Sequence, residues 1–526
     1  MKLPQLAGEV ALIGRVSYCN LLTVHLALPP PTSERGYDLL FVTIHWLNDD
    51  ILLDIFNCYR LDEKSGWNVR LGWRKLSHVC QRWRHLMYES AFHLGMHIQC
   101  THGTPIVDTL DHLPPLPLCL DYNYIGGHIL TEQDELGILR ALRLHDRVRH
   151  IFLVLRPSTL HKCLVLMDQC FPILEHLTLW FRADEFPTLT LPKAFLAPNL
   201  RHLTLSGMCL PKRLRLLNST ASLVRVVLWK IQASSYFRPR LLVARLWSLP
   251  QLEELALGFS IPIPRPSTER ELLGGQGTPV TLPNLKILRF RGVSAYLESL
   301  SAQIRVPLLE QLDIAFFNQI TFALPHLSHL INITERFKSP EVTVSFDRNE
   351  VFITTGHNIS LRSKGPLFLC VMCKQLDWQI DCAAQICGAL IPALSGVEQI
   401  TLDFYDKTLP TEWQNDEIDG TTWVELLRPF IGVKWLYVYN GLVEDLSLAL
   451  QMDEVGLDPG FLPRLQHIFA TSSRFASFNN TRRFAGRPVL FSMVSQPRGS
   501  FRPKRPPLLE YTPNPSAHPW DIWETS

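Results

Sequence analysis

The chain has 526 residues, a length that suggests about three domain-sized units or one elongated array. Hydrophobic residues make up 46% of it and charged residues 19%, a balance that excludes disorder throughout the chain. The 51 basic and 49 acidic side chains give a formal net charge of +2, which argues against a dedicated nucleic-acid-binding protein.

Cysteine content and the N-terminal segment bear on where the protein works. Twelve scattered cysteines are too few for a disulfide framework and indicate a reducing compartment, so we expect a cytoplasmic or nuclear location. The uncharged segment 16–33 contains Asn20 and His25, and its apolar part stops at prolines 29–31. It falls short of the roughly 20 mostly apolar residues that a membrane-spanning helix needs. We therefore expect no membrane partner and a loosely structured segment over residues 1–40.

Two apolar stripes at helical spacing predict a compact helical unit over residues 41–100. Asn48-Asp49-Asp50 supplies N-capping side chains and early negative charge ahead of a stripe that runs from Ile51 to Tyr59. A second stripe runs from Leu76 to Leu86. So short a pair of helices buries little apolar surface. Either both stripes pack on the rest of the chain, or part of this surface binds another protein.

The two stripes in this order resemble an F-box. Residues 47–56, LNDDILLDIF, are similar to the opening of that motif, and residues 76–86, LSHVCQRWRHL, are similar to its closing half. The chain as a whole also resembles fungal F-box families. Two features depart from the pattern: Asn48 stands where the family usually has proline, and the loop 62–70 is longer than the family's connection.

The resemblance implies docking on the Skp-type adaptor of a cullin–RING ubiquitin ligase, and through that adaptor on a cullin. It assigns adaptor binding to eight residues that share the two half-motifs: Leu47, Ile51, Leu52, Ile55, Phe56, Val79, Cys80 and Trp83.

Residues 146–470 repeat one phrase, in which an apolar residue is followed by two variable residues, an apolar one, a variable one and a final apolar one. Strong copies begin at Leu174, Leu200, Leu252, Leu285 and Leu309, and weaker ones at Val148, Leu223, Val397, Val433 and Leu465. Starts from residue 148 to residue 309 are 26, 26, 23, 29, 33 and 24 residues apart. The phrase resembles the strand segment of leucine-rich repeats, whose period is about 20–29 residues.

We therefore expect an α/β fold, with an N-terminal helical F-box followed by an irregular leucine-rich-repeat-like solenoid. Residues 101–145, with the proline-rich passage 113–117, are expected to form a linker and a cap for the solenoid. The repeat cannot be phased between residues 313 and 396. The alternative is an ordinary α/β domain whose strands share a Pro-x-Leu start.

The period-2 alternation of a strand places every second residue on one face. If Leu177 and Leu179 point inward, the residues between them line a concave face, where aromatic and arginine side chains are typical of protein interfaces. The same parity exposes Thr178, Glu254, Asp313 and Asp403. The candidate target-binding residues are His176, Trp180, Arg225, Trp229, Arg289, Arg291, Trp435, Tyr437 and Tyr439. As an alternative, Trp180 and Trp229 cover the edge of the solenoid.

No pattern in the sequence predicts a catalytic site, a metal or a cofactor. Cys370 and Cys373, with Cys382 and Cys387 beyond, invite a zinc hypothesis, but the first two lie inside an apolar run where cysteine acts as a small hydrophobe. The stretch 274–277, GGQG, lacks the lysine and hydroxyl of a phosphate-binding loop, and a flexible insertion explains it.

Residues 471–526 read as a basic, proline-containing tail that we expect to be disordered. Its Pro503-Lys504-Arg505 could serve as a nuclear signal or touch nucleic acid, although a solvated tail is the simpler hypothesis. The predicted function is a non-enzymatic substrate receptor of a Skp–cullin–F-box ubiquitin ligase with an unknown target protein. The alternative is a protein-interaction scaffold with a vestigial F-box.

Overall fold

The computed structural model describes part of the chain, which falls into two compact units, Met1–His97 and Ile98–Ser526. The described residues are 47–62, 76–90, 94, 96–104, 106, 110, 115–123, 130–181, 189–208, 216–217, 220–232, 237–260, 279–356, 365–404, 420–439, 442, 446, 461–470 and 489–493. The expected loose segment 1–40, the glycine stretch 274–277 and Pro503-Lys504-Arg505 lie outside them.

The described part of the first unit contains two helices, α1 (Asp49–Asp62) and α2 (Gln81–Glu89). The carboxamide oxygen of Asn48 accepts a hydrogen bond of 2.9 Å from the backbone N–H of Ile51, as the capping pattern predicts. Helix α2 starts at Cys80, whose sulfur accepts a hydrogen bond of 3.5 Å from the backbone N–H of Trp83. The first predicted stripe is therefore helical, whereas of the second stripe Trp83 and Leu86 lie in α2 and Val79 and Cys80 precede it.

A sheet of 16 strands organises the described part of the second unit. The strands, numbered along the chain, are β1 (Ile98–Cys100), β2 (Leu118–Asn123), β3 (Val148–Leu155), β4 (His176–Phe181), β5 (His202–Ser206), β6 (Arg225–Ile231), β7 (Glu254–Phe259), β8 (Val280–Thr281), β9 (Ile287–Gly292), β10 (Ile304–Arg305), β11 (Gln311–Phe317), β12 (Glu341–Phe346), β13 (Glu350–Thr355), β14 (Leu367–Met372), β15 (Gln399–Phe404), β16 (Trp435–Val438), β17 (His467–Ala470) and β18 (Leu490–Met493). Strands β8 and β10 form a separate parallel pair.

Eight α-helices lie in the described connections of the second unit. They are α3 (Glu132–Arg143), α4 (Pro157–Leu166), α5 (Pro239–Leu246), α6 (Ser294–Ser301), α7 (Pro325–Ile333), α8 (Leu376–Ala389), α9 (Ile391–Leu394) and α10 (Gly420–Leu427). Helices α3, α4 and α6 contact β2, β3 and β9, and α8 contacts β12, β13 and β14. None of the helices in the described residues is long and apolar enough to cross a bilayer.

The predicted leucine-rich-repeat-like solenoid is wrong. The protein has a mixed α/β fold in which 16 of the described strands form one mostly parallel sheet, in the order β1-β2-β3-β4-β5-β6-β7-β9-β11-β14-β13-β12-β15-β16-β17-β18. The order departs from the chain order at β14-β13-β12, where β13 is antiparallel to both neighbours. A stack of one strand per repeat does not contain such a pair of hairpins. The alternative weighed above, an α/β domain with similar strand starts, describes this architecture better.

All ten repeated phrases nevertheless overlap strands, which are β3, β4, β5, β6, β7, β9, β11, β15, β16 and β17. The phrase records the alternating burial of a strand, and any strand with one covered face shows it. It says nothing about the connections, which differ in length and structure. The stretch 313–396, where the repeat could not be phased, contains the antiparallel strands β12, β13 and β14.

Two predicted boundaries also need correction. Residues 101–145 are not only a linker and cap, because β2 lies within them and pairs with β3, and α3 follows. Residues 490–493 belong to the segment expected to be disordered, yet they form β18, which pairs with β17.

Candidate interaction surfaces

The helix pair of the first unit divides the predicted adaptor-binding residues into an internal and an exposed set. Leu52, Phe56 and Trp83 are buried, and the rings of Phe56 and Trp83 meet edge to face with centroids 4.8 Å apart. Exposed apolar side chains remain: Ile51 is 46% exposed, Ile55 41% and Val79 57%. The other two, Leu47 and Cys80, are partly exposed. Only part of the predicted set is therefore accessible to another protein.

An arginine that the sequence analysis did not single out joins the two helices. The guanidinium of Arg82 on α2 donates a hydrogen bond of 2.6 Å to the Asp49 carboxylate at the start of α1. It donates a second one, also of 2.6 Å, to the backbone carbonyl of Leu47. The spacing of Arg82 from Asp49 carries no local signal, because the contact spans 33 residues. These hydrogen bonds connect α2 to the start of α1.

The second surface is one face of the sheet, here called the polar face. Register aligns the residues between the buried positions of each strand, so His176 lies beside His202, and Trp435 lies beside His467. Of the nine predicted target-binding residues, seven are partly exposed on this face: His176, Trp180, Arg225, Arg291, Trp435, Tyr437 and Tyr439. The other two, Trp229 and Arg289, are buried.

Three histidines form a stacked row on β3, β4 and β5. The ring centroids of His150 and His176 are 5.0 Å apart, and those of His176 and His202 are 4.3 Å apart with the rings nearly parallel. Burial, and then the neighbouring His202, lower the pKa of His176 to about 4. Burial and the nearby Arg225 lower the pKa of His202 as well. Near neutral pH the stacked rings of His176 and His202 are therefore neutral.

A row of alternating charges follows on β6, β7, β9 and β11. Arg225 approaches Glu254 at 3.0 Å, and Glu254 also pairs with Arg289. Arg289 donates a hydrogen bond of 3.1 Å to Asp313, which accepts another of 3.0 Å from Gln311. Arg289 is 2% exposed and Asp313 0%, so the expectation that they are exposed is wrong. The opposite charges satisfy one another, which allows their burial.

Trp229 was also expected on the open surface, and this is wrong. Its ring lies on the polar side of the sheet but packs against Gly258 on β7, in the space that a Cβ atom at residue 258 would occupy. With Val227 and Ala256 it forms a buried apolar cluster. Small neighbours on the next strand let the indole lie flat against the sheet, so it is covered instead of projecting.

Aromatic rings dominate the polar face at the β18 end of the sheet. The rings of Tyr437, Phe469 and His467 stack in that order, with centroids 4.4 Å and 4.1 Å apart. The ring centroids of Tyr439 and Tyr437 are 6.4 Å apart. We call Trp435, Tyr437, Tyr439, His467 and Phe469 the aromatic patch. His467 and Phe469 are not among the predicted target-binding residues, although the parity of the weak copy at Leu465 places both on this face.

Polar groups border the aromatic patch. The Lys434 ammonium lies 5.7 Å from the centre of the Trp435 ring and 2.6 Å from a carboxylate oxygen of Glu398. His467 Nε2 and the Ser492 hydroxyl of β18 are 2.8 Å apart. Burial, with Tyr437 and the negative charge of Asp403, raises the pKa of Tyr439. The patch is thus a largely aromatic surface, and the negative charge of Asp403 acts on it at Tyr439.

The cysteines weighed for zinc are buried thiols. Cys370, Cys373, Cys382 and Cys387 are each at most 3% exposed, and burial is the largest cause that raises the pKa of Cys382 and Cys387 to about 12. Among the described residues, no three His, Cys, Asp or Glu side chains are grouped so that they could hold a metal ion.

Comparison with known proteins adds no relative. No model of a protein family matches the chain, and no curated protein matches it. The residues and their geometry therefore carry the functional argument.

Proposed function

We propose that the protein is a substrate receptor of a cullin–RING ubiquitin ligase, which docks on a Skp-type adaptor through its helix pair. The single observation that carries the proposal is the exposure of Ile51, Ile55 and Val79 on a folded helix pair whose sequence resembles an F-box. A target protein would bind the polar face of the sheet, which takes the place of the solenoid expected from the repeats.

The exposed set has the arrangement that docking needs. Ile51 and Ile55 are four residues apart on α1, so their side chains lie one above the other on the same helix face. Val79 lies two residues before the start of α2. Burying such side chains against a partner contributes roughly 25 cal/mol per Å² of apolar surface. The internal Leu52, Phe56 and Trp83 support this surface from below and do not reach a partner themselves.

The target-binding part of the proposal rests on the aromatic patch more than on the charged row. The charged side chains of Arg289 and Asp313 are paired and buried, so a partner would have to break their contacts to use them. The rings of Tyr437 and Phe469 are partly exposed, and aromatic side chains are enriched among the residues that anchor interfaces. The receptor acts by proximity, since it raises the effective concentration of the target near a ubiquitin-charged enzyme.

A pull-down of the full chain with purified Skp-type adaptor tests the docking. Replacing Ile55→Asp and Val79→Asp together puts two carboxylates into the proposed interface, and we expect a loss of about 3 kcal/mol, or roughly a hundred-fold weaker Kd. Both positions are exposed, so the variant should keep its circular-dichroism spectrum. The Trp83→Ala variant is a poor probe of docking, because it removes an internal side chain of the pair.

The exposed Asp54 on the same helix provides a matched control, and Asp54→Asn should bind as the native chain does. Undiminished binding by the folded double variant would sink the docking claim. Failure of the native chain to bind any Skp-type adaptor would also contradict the proposal, and a scaffold with a vestigial F-box would then be the better account.

A further inference from the structure

The aromatic patch lies close to the point where the described chain ends. Its residues lie in β16 and β17 or, for Tyr439, directly after β16, and β17 pairs with β18, the last strand in the sheet order. Neighbouring strands are about 4.8 Å apart, so the patch is on the order of 10 Å from β18. Leu490 and Met493 of β18 are 67% and 66% exposed. The chain that follows Met493 therefore starts beside the patch.

The sequence that follows has a composition suited to such a surface. Residues 494–526 contain seven prolines, and Pro503-Lys504-Arg505-Pro506-Pro507 places two of them three residues apart. Between residues 494 and 509 there are four basic residues and no acidic one. Proline-rich segments of this kind favour the extended polyproline II conformation and dock in grooves lined by aromatic rings, because little conformational entropy is lost.

We propose that the proline-rich segment 503–507 binds the aromatic patch of the same molecule. The prolines would pack against the partly exposed rings of Tyr437, Tyr439 and Phe469. The basic side chains of the segment complement the carboxylate of Asp403, whose charge acts on Tyr439 at the edge of the patch. This inference goes beyond the proposed ligase function and does not depend on adaptor binding. A target that uses the aromatic patch has to displace the segment first.

Chain length and effective concentration support binding within one molecule. At about 3.1 Å per residue, the nine residues from 494 to 502 reach roughly 28 Å, well beyond the distance from β18 to the patch. Short tethers give effective concentrations on the order of 1 mM. Even an intrinsic Kd of about 0.1 mM then leaves only about one segment in eleven unbound.

Cleavage of the full chain by a glutamyl endopeptidase tests the proposal. Glu510 is the first acidic residue after β18, so cutting there releases a fragment that begins at Tyr511 and can be followed by mass spectrometry. We expect release to be about ten-fold slower from the native chain than from two variants. The face variant is Tyr437→Thr with Phe469→Thr, which keeps residues that suit a strand. The tail variant is Pro503→Ser with Pro506→Ser and Pro507→Ser, which leaves the sheet untouched.

The matched control is Phe352→Thr, an aromatic residue on β13 of the same polar face but three strands from β16. It should release the fragment as slowly as the native chain, at a rate that does not change on dilution. Equal release from the native chain and the tail variant overturns the proposal, and this comparison stands even if the face variant fails to fold. Faster release on dilution also overturns it, because the bound segment would then come from a second copy.

Discussion

Arg289 and Asp313 show how far a residue's chemistry depends on its neighbours across the sheet. Both lie on the polar face, as their parity predicts, yet both are buried because their partners on adjacent strands are charged. Alternation along one strand identifies the face on which a residue lies. It does not show whether side chains of the neighbouring strands cover that residue. The same holds for Trp229, which is covered because Gly258 on the next strand leaves room for its ring.

The pairing of Asp313 with Arg289 predicts an asymmetric mutational response. Asp313→Ala takes one of two carboxylate partners from the buried Arg289 guanidinium, which keeps Glu254, and we expect the free energy of unfolding in urea to fall by about 2–3 kcal/mol. Replacing both residues, Arg289→Met with Asp313→Leu, removes the buried cation together with its lost partner, and Glu254 keeps Arg225 as its partner. The double variant should recover most of the loss. A drop below about 1 kcal/mol for Asp313→Ala would show that the pair contributes little.

At the scale of elements, the start of α7 illustrates a cap that is supplied from another helix. The Glu298 carboxylate of α6 is largely buried and accepts hydrogen bonds from the backbone N–H groups of His326 and Leu327, the latter of 3.1 Å. No side chain next to Pro325 caps the helix locally. The negative charge at the helix N-terminus is favourable, because unpaired N–H groups and the helix dipole converge there.

Removal of this cap should destabilise the second unit, which contains the sheet. Glu298→Ala leaves two N–H groups at the start of the helix without an acceptor, of which that of Leu327 is buried, so we expect a loss of about 2 kcal/mol in thermal or urea unfolding. The control is Glu335→Ala, an exposed glutamate just after α7 whose ion pair with Lys338 lies at the surface. That change should stay within about 0.5 kcal/mol. Equal effects of the two substitutions would contradict a capping role for Glu298.

For the whole molecule, lowered pKa values in the second unit link stability to pH, and His202 acts in the same direction as its neighbour His176. The folded-state pKa of His176 is about 4, below its ordinary value of 6.5, so folding favours the neutral ring. Burial of Asp134 would raise its pKa, but hydrogen bonds from Thr131 and Gly103 and the nearby His102 lower it on balance. The unfolded chain binds more protons at these sites, and stability therefore rises with pH across each window.

We expect stability to decline as pH falls from about 6.5 to about 4, as the unfolded chain takes up a proton that buried His176 resists, and to decline further below the ordinary Asp134 value of 3.8. Urea unfolding at several pH values measures how steeply the free energy of unfolding changes between about pH 6.5 and about pH 4. His176→Gln should flatten this slope, while Thr178→Val, a non-titrating change on the same strand and face, should not. An unchanged slope in His176→Gln would exclude His176 as its source.

Local pattern alone determined two of the helices and ten of the strands in the described part of this chain. Capping residues and apolar spacing predicted α1 and α2, and the repeated phrase marked ten of the strands, because each signal is complete within a few neighbouring residues. The parity of each strand likewise placed Tyr437 and Trp435 on the polar face. The resemblance of residues 47–56 and 76–86 to an F-box supplied the functional hypothesis, which stays a prediction.

Only the tertiary structure decided how these elements are joined and covered. The reversed order β14-β13-β12 depends on hydrogen bonds between strands, which no spacing along the chain records. The division of the helix pair into internal Leu52 and Phe56 and exposed Ile51 and Ile55 depends on where α2 packs. Partners distant in sequence bury Arg289 and Trp229 and bring Phe469 beside Tyr437. Strand formation is a local property of the chain, whereas sheet order and burial are set by long-range contacts.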